Sequence, residues 1–106
     1  MSEAAVTGFD WDAGNREKCQ KHGVSLAVIE AMFQNAPLVT PDPRHSKAET
    51  RYLAIGAAAG ARRDFLAFTF RHSAHGLLIR PISARYMHQR EIDRLEQDLA
   101  HPRKRP

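Results

Sequence analysis

Cysteine and long apolar runs are both scarce in this sequence, and each scarcity excludes something. Cys19 is the one cysteine among 106 residues, so no internal disulfide can form, and a reducing compartment is the natural setting. No apolar run approaches the roughly 20 residues that span a bilayer. The first ten residues lack a basic stretch followed by an apolar one, so no secretory signal is expected and the expected location is cytoplasmic. No internal repeat is apparent. The glycines form no phosphate-binding fingerprint: Gly56-Ala-Ala-Ala-Gly60 lacks the Lys and Ser/Thr that a P-loop requires. His72 and His75 form an H-x-x-H, but in an expected turn with no further ligand nearby, so neither metal nor cofactor is expected.

What is present suits one small globular domain. The chain is 42% hydrophobic and 26% charged, close to globular averages. Its length leaves no room for separate cofactor and substrate domains. The expected division is a flexible lead-in over 1–8, a domain over 9–100 and a basic tail over 101–106. The net charge is +4 and unevenly spread. Residues 1–40 carry three basic and five acidic side chains, a balance of −2. Residues 41–106 carry thirteen and seven, a balance of +6. A basic domain of this size either meets a polyanion or an acidic protein, or uses its charge for solubility alone.

Asp12 is placed to cap a helix over 13–22, with Gly23 at its left-handed end. Ser25 caps a second helix, with Val24 and Ile29 as a hydrophobic staple. Leu26, Ile29 and Phe33 make its apolar stripe, and Pro37 ends it. Extended segments follow at 38–40, 51–55, 65–70 and 77–85, with turns at 57–61 and 71–76. Pro81 inside the last segment points to an edge position or a bulge. Glu91, Ile92, Leu95 and Leu99 describe a final amphipathic helix. The expected fold is therefore α+β: two N-terminal helices, a four-stranded antiparallel sheet and a C-terminal helix, with the helices on one face of the sheet.

Several spaced motifs resemble one family. Phe9-Asp-Trp-Asp12, Asn15, Lys18 and Lys21-His-Gly-Val24 resemble the opening of BrnT toxins. Asp42-Pro-Arg-His-Ser46, Glu49, Arg51 and Gly56 resemble their middle, and Ile82-Ser-Ala-Arg85 with Glu91 their end. The resemblance spans about residues 9–96. It implies a RelE-like fold and the toxin half of a type II toxin–antitoxin pair. It also implies RNA cleavage without a metal, and neutralisation by a ribbon-helix-helix antitoxin (BrnA), with DNA reached only through the antitoxin complex. One departure is His88, where the family often has Thr, Ser or Asn. His is a poorer cap, so the last helix is expected to fray or begin later.

Cleaving RNA without a metal requires a base for the 2′-OH, fixed cations for the phosphorane, a proton for the leaving 5′-oxygen and an in-line grip. Two segments offer such groups: Arg44, His45, Glu49 and Arg51, and then Arg80, Ser83 and Arg85. Arg51, Arg85 and Arg80 are the candidate phosphate clamps, and Glu49 or His45 the candidate base. Lys21, His22, Arg44 and Ser83 are candidate substrate contacts, although His22 before Gly23 equally suits a helix cap. Arg80 and Arg85 have opposite parity, so they share a face only if a bulge intervenes or Arg85 lies beyond the strand. Phe9 and Trp11 are expected in the core rather than as stacking platforms. Cys19 among lysines is expected to have a somewhat lowered pKa. The competing reading is a non-catalytic basic module that binds a partner protein, and DNA through it.

Overall fold

The computed structural model describes residues 6–45, 47–56 and 62–100. Residues 1–5, Ser46, the expected turn at 57–61 and the basic tail at 101–106 lie outside the described residues. The elements are β1 (Val6–Phe9), α1 (Ala13–Gln20), α2 (Leu26–Gln34), β2 (Leu38–Pro41), a 3-10 turn (Pro43–His45), β3 (Tyr52–Gly56), β4 (Asp64–Ser73), β5 (Gly76–Tyr86) and α3 (Gln89–Ala100). The five strands form one sheet in the order β1-β5-β4-β3-β2. β1 runs parallel to β5, and the other pairs are antiparallel.

This corrects the expected fold. The three α-helices are present, but the sheet is five-stranded and mixed, not four-stranded and antiparallel. The extra strand is β1, within the segment read as a loose lead-in. Four residues containing Gly8 show no clear alternation, and Val6 pairs with Leu77, far along the chain. No hairpin turn announces a parallel pairing. β4 and β5 also run further than expected, so Arg71, His72 and Ser73 belong to a strand and only Ala74 and His75 make the turn.

The helix ends follow local chemistry. Asp12 and Asn15 form a reciprocal capping box, with Asn15 N–H donating to Asp12 Oδ1 (2.9 Å) and Asp12 N–H to Asn15 Oδ1 (2.7 Å). Gly23 has φ +86°, the left-handed conformation that follows a helix end at low cost for glycine. Ser25 Oγ accepts from Val28 N–H at 3.1 Å, and the staple residues Val24 and Ile29 are both fully buried. α3 does not begin late. The His88 carbonyl accepts from Glu91 and Ile92 N–H, and the Glu91 carboxylate accepts from His88 N–H at 2.9 Å. Glu91 thus supplies the cap that the histidine side chain lacks.

One face of the sheet is the core face. Ala54, Leu66, Phe68, Ile79 and Ala84 are buried there with Ile29 and Met32 of α2. Phe33 meets Phe68 edge-on at 5.3 Å, and Phe9 and Trp11 pack against the same cluster. Trp11 Nε1 donates to Glu30. Asp64, at the start of β4, is fully buried, and neither carboxylate oxygen has a hydrogen-bond partner among the described residues. Burial pushes its pKa up to about 6.

α1 closes an edge. β1 ends beside Ile79, so among the described residues the rest of β5 has no strand on that side. Asn15, buried on α1, donates through Nδ2 to the carbonyls of Asp10 and Pro81, each at 2.9 Å. Pro81 has no N–H to lose, which suits the point where strand pairing stops. Contrary to the expectation from sequence, the helices do not all lie on one face: α2 covers the core face, whereas Glu91 of α3 meets Arg85 on the opposite, open face.

Candidate active site

The β4–β5 register decides what the open face displays. Phe65 pairs with Arg85, Ala67 with Ser83, Phe68 with Pro81 and Thr69 with Arg80. Ile82 is left over as a bulge between Ala67 and Phe68. The extra residue reverses the parity of β5, so Arg80, Ser83 and Arg85 all share the open face. Leu53 and Ile55 of β3 join them through Ala67 and Phe65.

The site has two ends. Thr69 and Phe65 are four residues apart on β4, so Arg80 and Arg85 are separated by about 13 Å along the sheet.

At the Arg80 end, Asp12, Lys18, Glu49, Arg51, Thr69 and Arg80 are among the residues that line a cavity of about 280 Å³. Arg80 is fixed by Asp12 at 2.7 Å and Asp10 at 3.3 Å, and these bonds hold its charge more firmly than usual. Asp12 is in turn held below the ordinary carboxylate range, first by the Asn15 N–H and then by Arg80. Glu49 is paired with both guanidinium nitrogens of Arg71. That contact, followed by the nearby Arg51 and Arg80 charges, lowers its pKa and keeps it ionised. Thr69 donates to the Thr50 carbonyl at 2.7 Å, which ties the segment carrying Glu49 and Arg51 to β4.

Beside this cavity, His45, Lys47, Glu49 and Arg51 line a second depression of about 320 Å³. Asp42 Oδ2 lies 2.8 Å from His45 Nδ1, which orients the ring and leaves Nε2 for another partner.

At the other end, His22, Phe65, Ser83 and Arg85 line a cavity of about 240 Å³ whose walls are completed by Leu53 and Ala67. Arg85 bonds Glu91 with both nitrogens, at 2.8 and 2.7 Å, and its guanidinium lies 4.6 Å over the Phe65 ring. The Arg85 contact, then the His88 N–H, pushes the Glu91 pKa down to about 2.

The structure therefore brings Glu49, Arg51 and Arg80 together, places His45 next to them, and groups His22, Ser83 and Arg85 at the far end. Lys21 does not line the Arg80 cavity; it lines an adjoining depression with Gly14, Glu17 and Lys18. Arg44 is exposed on the 3-10 turn. Sequence reasoning missed Lys18, Thr69 and Arg71. The odd positions of β4 carry the last two, a signal visible once the strand is extended past Phe70. Cys19 corrects another expectation: it is buried, and desolvation pushes its pKa up to about 11, against the lowering by neighbouring Lys18. Among the described residues, no group of three or more His, Cys, Asp or Glu side chains is placed to share a metal ion. No helix among them is long and apolar enough to cross a membrane.

An open sheet face carrying several arginines, with carboxylates interleaved, has the chemistry to meet a polyanion. The family comparison makes this specific: residues 11–91 match the family described as ribonuclease toxin, BrnT, of type II toxin-antitoxin system. The chain belongs to that family, which gives it RNA as its substrate class and an antitoxin as its partner. No curated protein sequence matches the chain.

Proposed function

We propose that the chain cuts RNA on its open sheet face by metal-independent attack of a ribose 2′-OH on the adjacent phosphate. The observation that carries this reading is the meeting of Glu49, Arg51 and Arg80 in one cavity. Arg51 and Arg80 hold the phosphate and stabilise the charge of the phosphorane, with Lys18 beside them. Glu49, kept ionised by Arg71, takes the 2′-OH proton. The O2′–P bond forms as the P–O5′ bond breaks, and His45, oriented by Asp42, gives the 5′-oxygen its proton. The products are a 2′,3′-cyclic phosphate and a 5′-hydroxyl. In the cytoplasm, a BrnA-like ribbon-helix-helix antitoxin silences the activity by covering this face, and DNA is reached only through that complex.

The test is RNA breakdown by the purified chain in the presence of a chelator. Glu49→Gln and Arg51→Ala are expected to slow cleavage about 100-fold or more, the scale of a lost base or charge clamp, with unchanged circular dichroism. Wild-type rates in both variants would sink the assignment. A second reading, the non-catalytic basic module, draws support from Arg71, Arg80 and Arg85 already being satisfied by internal carboxylates. An intact RNA in the same assay, with normal growth of cells expressing the chain alone, is its expected outcome.

A further inference from the structure

We infer that the pocket bounded by His22, Phe65, Ser83 and Arg85 holds an unpaired nucleobase of the RNA, one that flanks the phosphate bound in the Arg80 cavity. The inference rests on the proposed ribonuclease reading and adds a second subsite to it. The two ends lie on the same face, about 13 Å apart by strand rise. Arg85 is therefore badly placed to share a phosphate already held by Arg80 and Arg51. Its surroundings differ too. The Arg80 cavity is ringed by charged groups, whereas the pocket walls are Leu53, Phe65 and Ala67. A phosphate gains little from such walls, but the carbon skeleton of a base fits them.

The arrangement of Arg85 explains how the base is gripped. Two of its three guanidinium nitrogens are engaged by Glu91, and Nη1 also donates to the Tyr86 carbonyl, so the edge they form is occupied. Its faces are not. One lies over Phe65 at 4.6 Å, and the side chain remains 41% exposed. A bidentate ion pair thus holds the guanidinium flat on an aromatic ring and leaves the other face as a stacking platform. Arginine planes and aromatic rings are the surfaces on which single-stranded bases stack. The exposed His22 ring and the Ser83 hydroxyl supply polar groups for a base edge. A base within a duplex cannot enter, so the pocket selects single-stranded RNA.

The test uses the full chain and two short oligonucleotides with 2′-O-methyl sugars, which cannot be cut. One carries bases and the other is abasic on the same sugar–phosphate backbone. By NMR, the His22 and Phe65 ring signals are expected to move with the base-bearing strand and stay still with the abasic one. The Thr69 and Arg80 signals are expected to move with both. Phe65→Leu is expected to shrink the affinity ratio between the two strands roughly tenfold, the scale of one base–aromatic stack. Silent pocket signals and equal affinities, with Thr69 and Arg80 still responding, overturn the inference and leave the phosphate site standing. Silence at both ends overturns both.

Discussion

Replacing Asp64 with Asn should change how the stability of the fold depends on pH. Asp64 lies opposite Gly56 and Tyr86 in the sheet, has no exposed surface, and among the described residues has no partner for either oxygen. Arg62 and Arg63 are adjacent in sequence but engaged elsewhere, Arg62 over the Tyr86 ring and Arg63 with Glu96. Desolvation outweighs the lowering by the residue's own backbone N–H, and raises the pKa from 3.8 to about 6. Below 3.8 both folded and unfolded chains carry the proton, so burial incurs no ionic cost. Between 3.8 and about 6 the folded chain holds more protons than the unfolded one, and stability falls as pH rises. Above 6 the full difference applies, about 3 kcal/mol at roughly 1.4 kcal/mol per pKa unit. That is a large part of the total stability of a small domain, commonly about 5–15 kcal/mol. Urea unfolding of wild type and Asp64→Asn from pH 4 to pH 7 measures it. The variant should gain on the wild type by most of that amount across the range. The amide's own burial cost is independent of pH and cancels in the trend. A constant difference between the two proteins would refute the reasoning.

Three further outcomes are expected. Gly76→Ala should lower the stability by about 1–3 kcal/mol, because its φ is +131° and a Cβ would sit 2.7 Å from Thr7 Cγ2; a thermal melt that matches wild type would contradict this. Asn15→Ala should cost about 2–3 kcal/mol in urea unfolding, through loss of the capping box and of both carbonyl contacts that close the β5 edge, and Asn15→Asp should not rescue it because it lacks the donors. Glu91→Gln should flatten the acid limb of the stability profile. The depressed pKa of about 2 means that the Arg85–Glu91 contact stabilises the fold above the ordinary value of 4.5 and is lost as pH falls toward 2, so a variant that keeps the wild-type acid slope would count against that pairing.

The helices were legible because their ends are written locally. Asp12, Gly23 and Ser25 each act within a few residues of themselves, and the observed caps use them. The C-terminal ends of the strands were less legible. Arg71 and His72 look like turn residues, yet they extend β4 because the antiparallel partner across the tight Ala74–His75 turn accepts their pairing. β1 was hidden for the opposite reason: its partner is remote and its four residues carry no pattern of their own. In the site, parity placed Glu49 with Arg51 and named a bulge as the condition for Arg80 and Arg85 to face the same way. It could not reveal that Arg71 partners Glu49, since that pairing depends on the true length of β4. Nor could it show the buried isolation of Asp64, because nothing in an alternating pattern distinguishes an inward carboxylate from an outward one.

The bulge at Ile82 is, in effect, a change of reading frame within a single strand. Before it, even-numbered residues of β5 face the open side; after it, odd-numbered ones do. Were Ile82 taken into the ladder as an ordinary paired residue, strict alternation would run the whole length of the strand. Either Arg80 and its neighbours would then turn into the hydrophobic layer, or Ser83 and Arg85 would. The protein could keep one end of its working surface but not both. The whole face therefore depends on one residue being left out of the pairing.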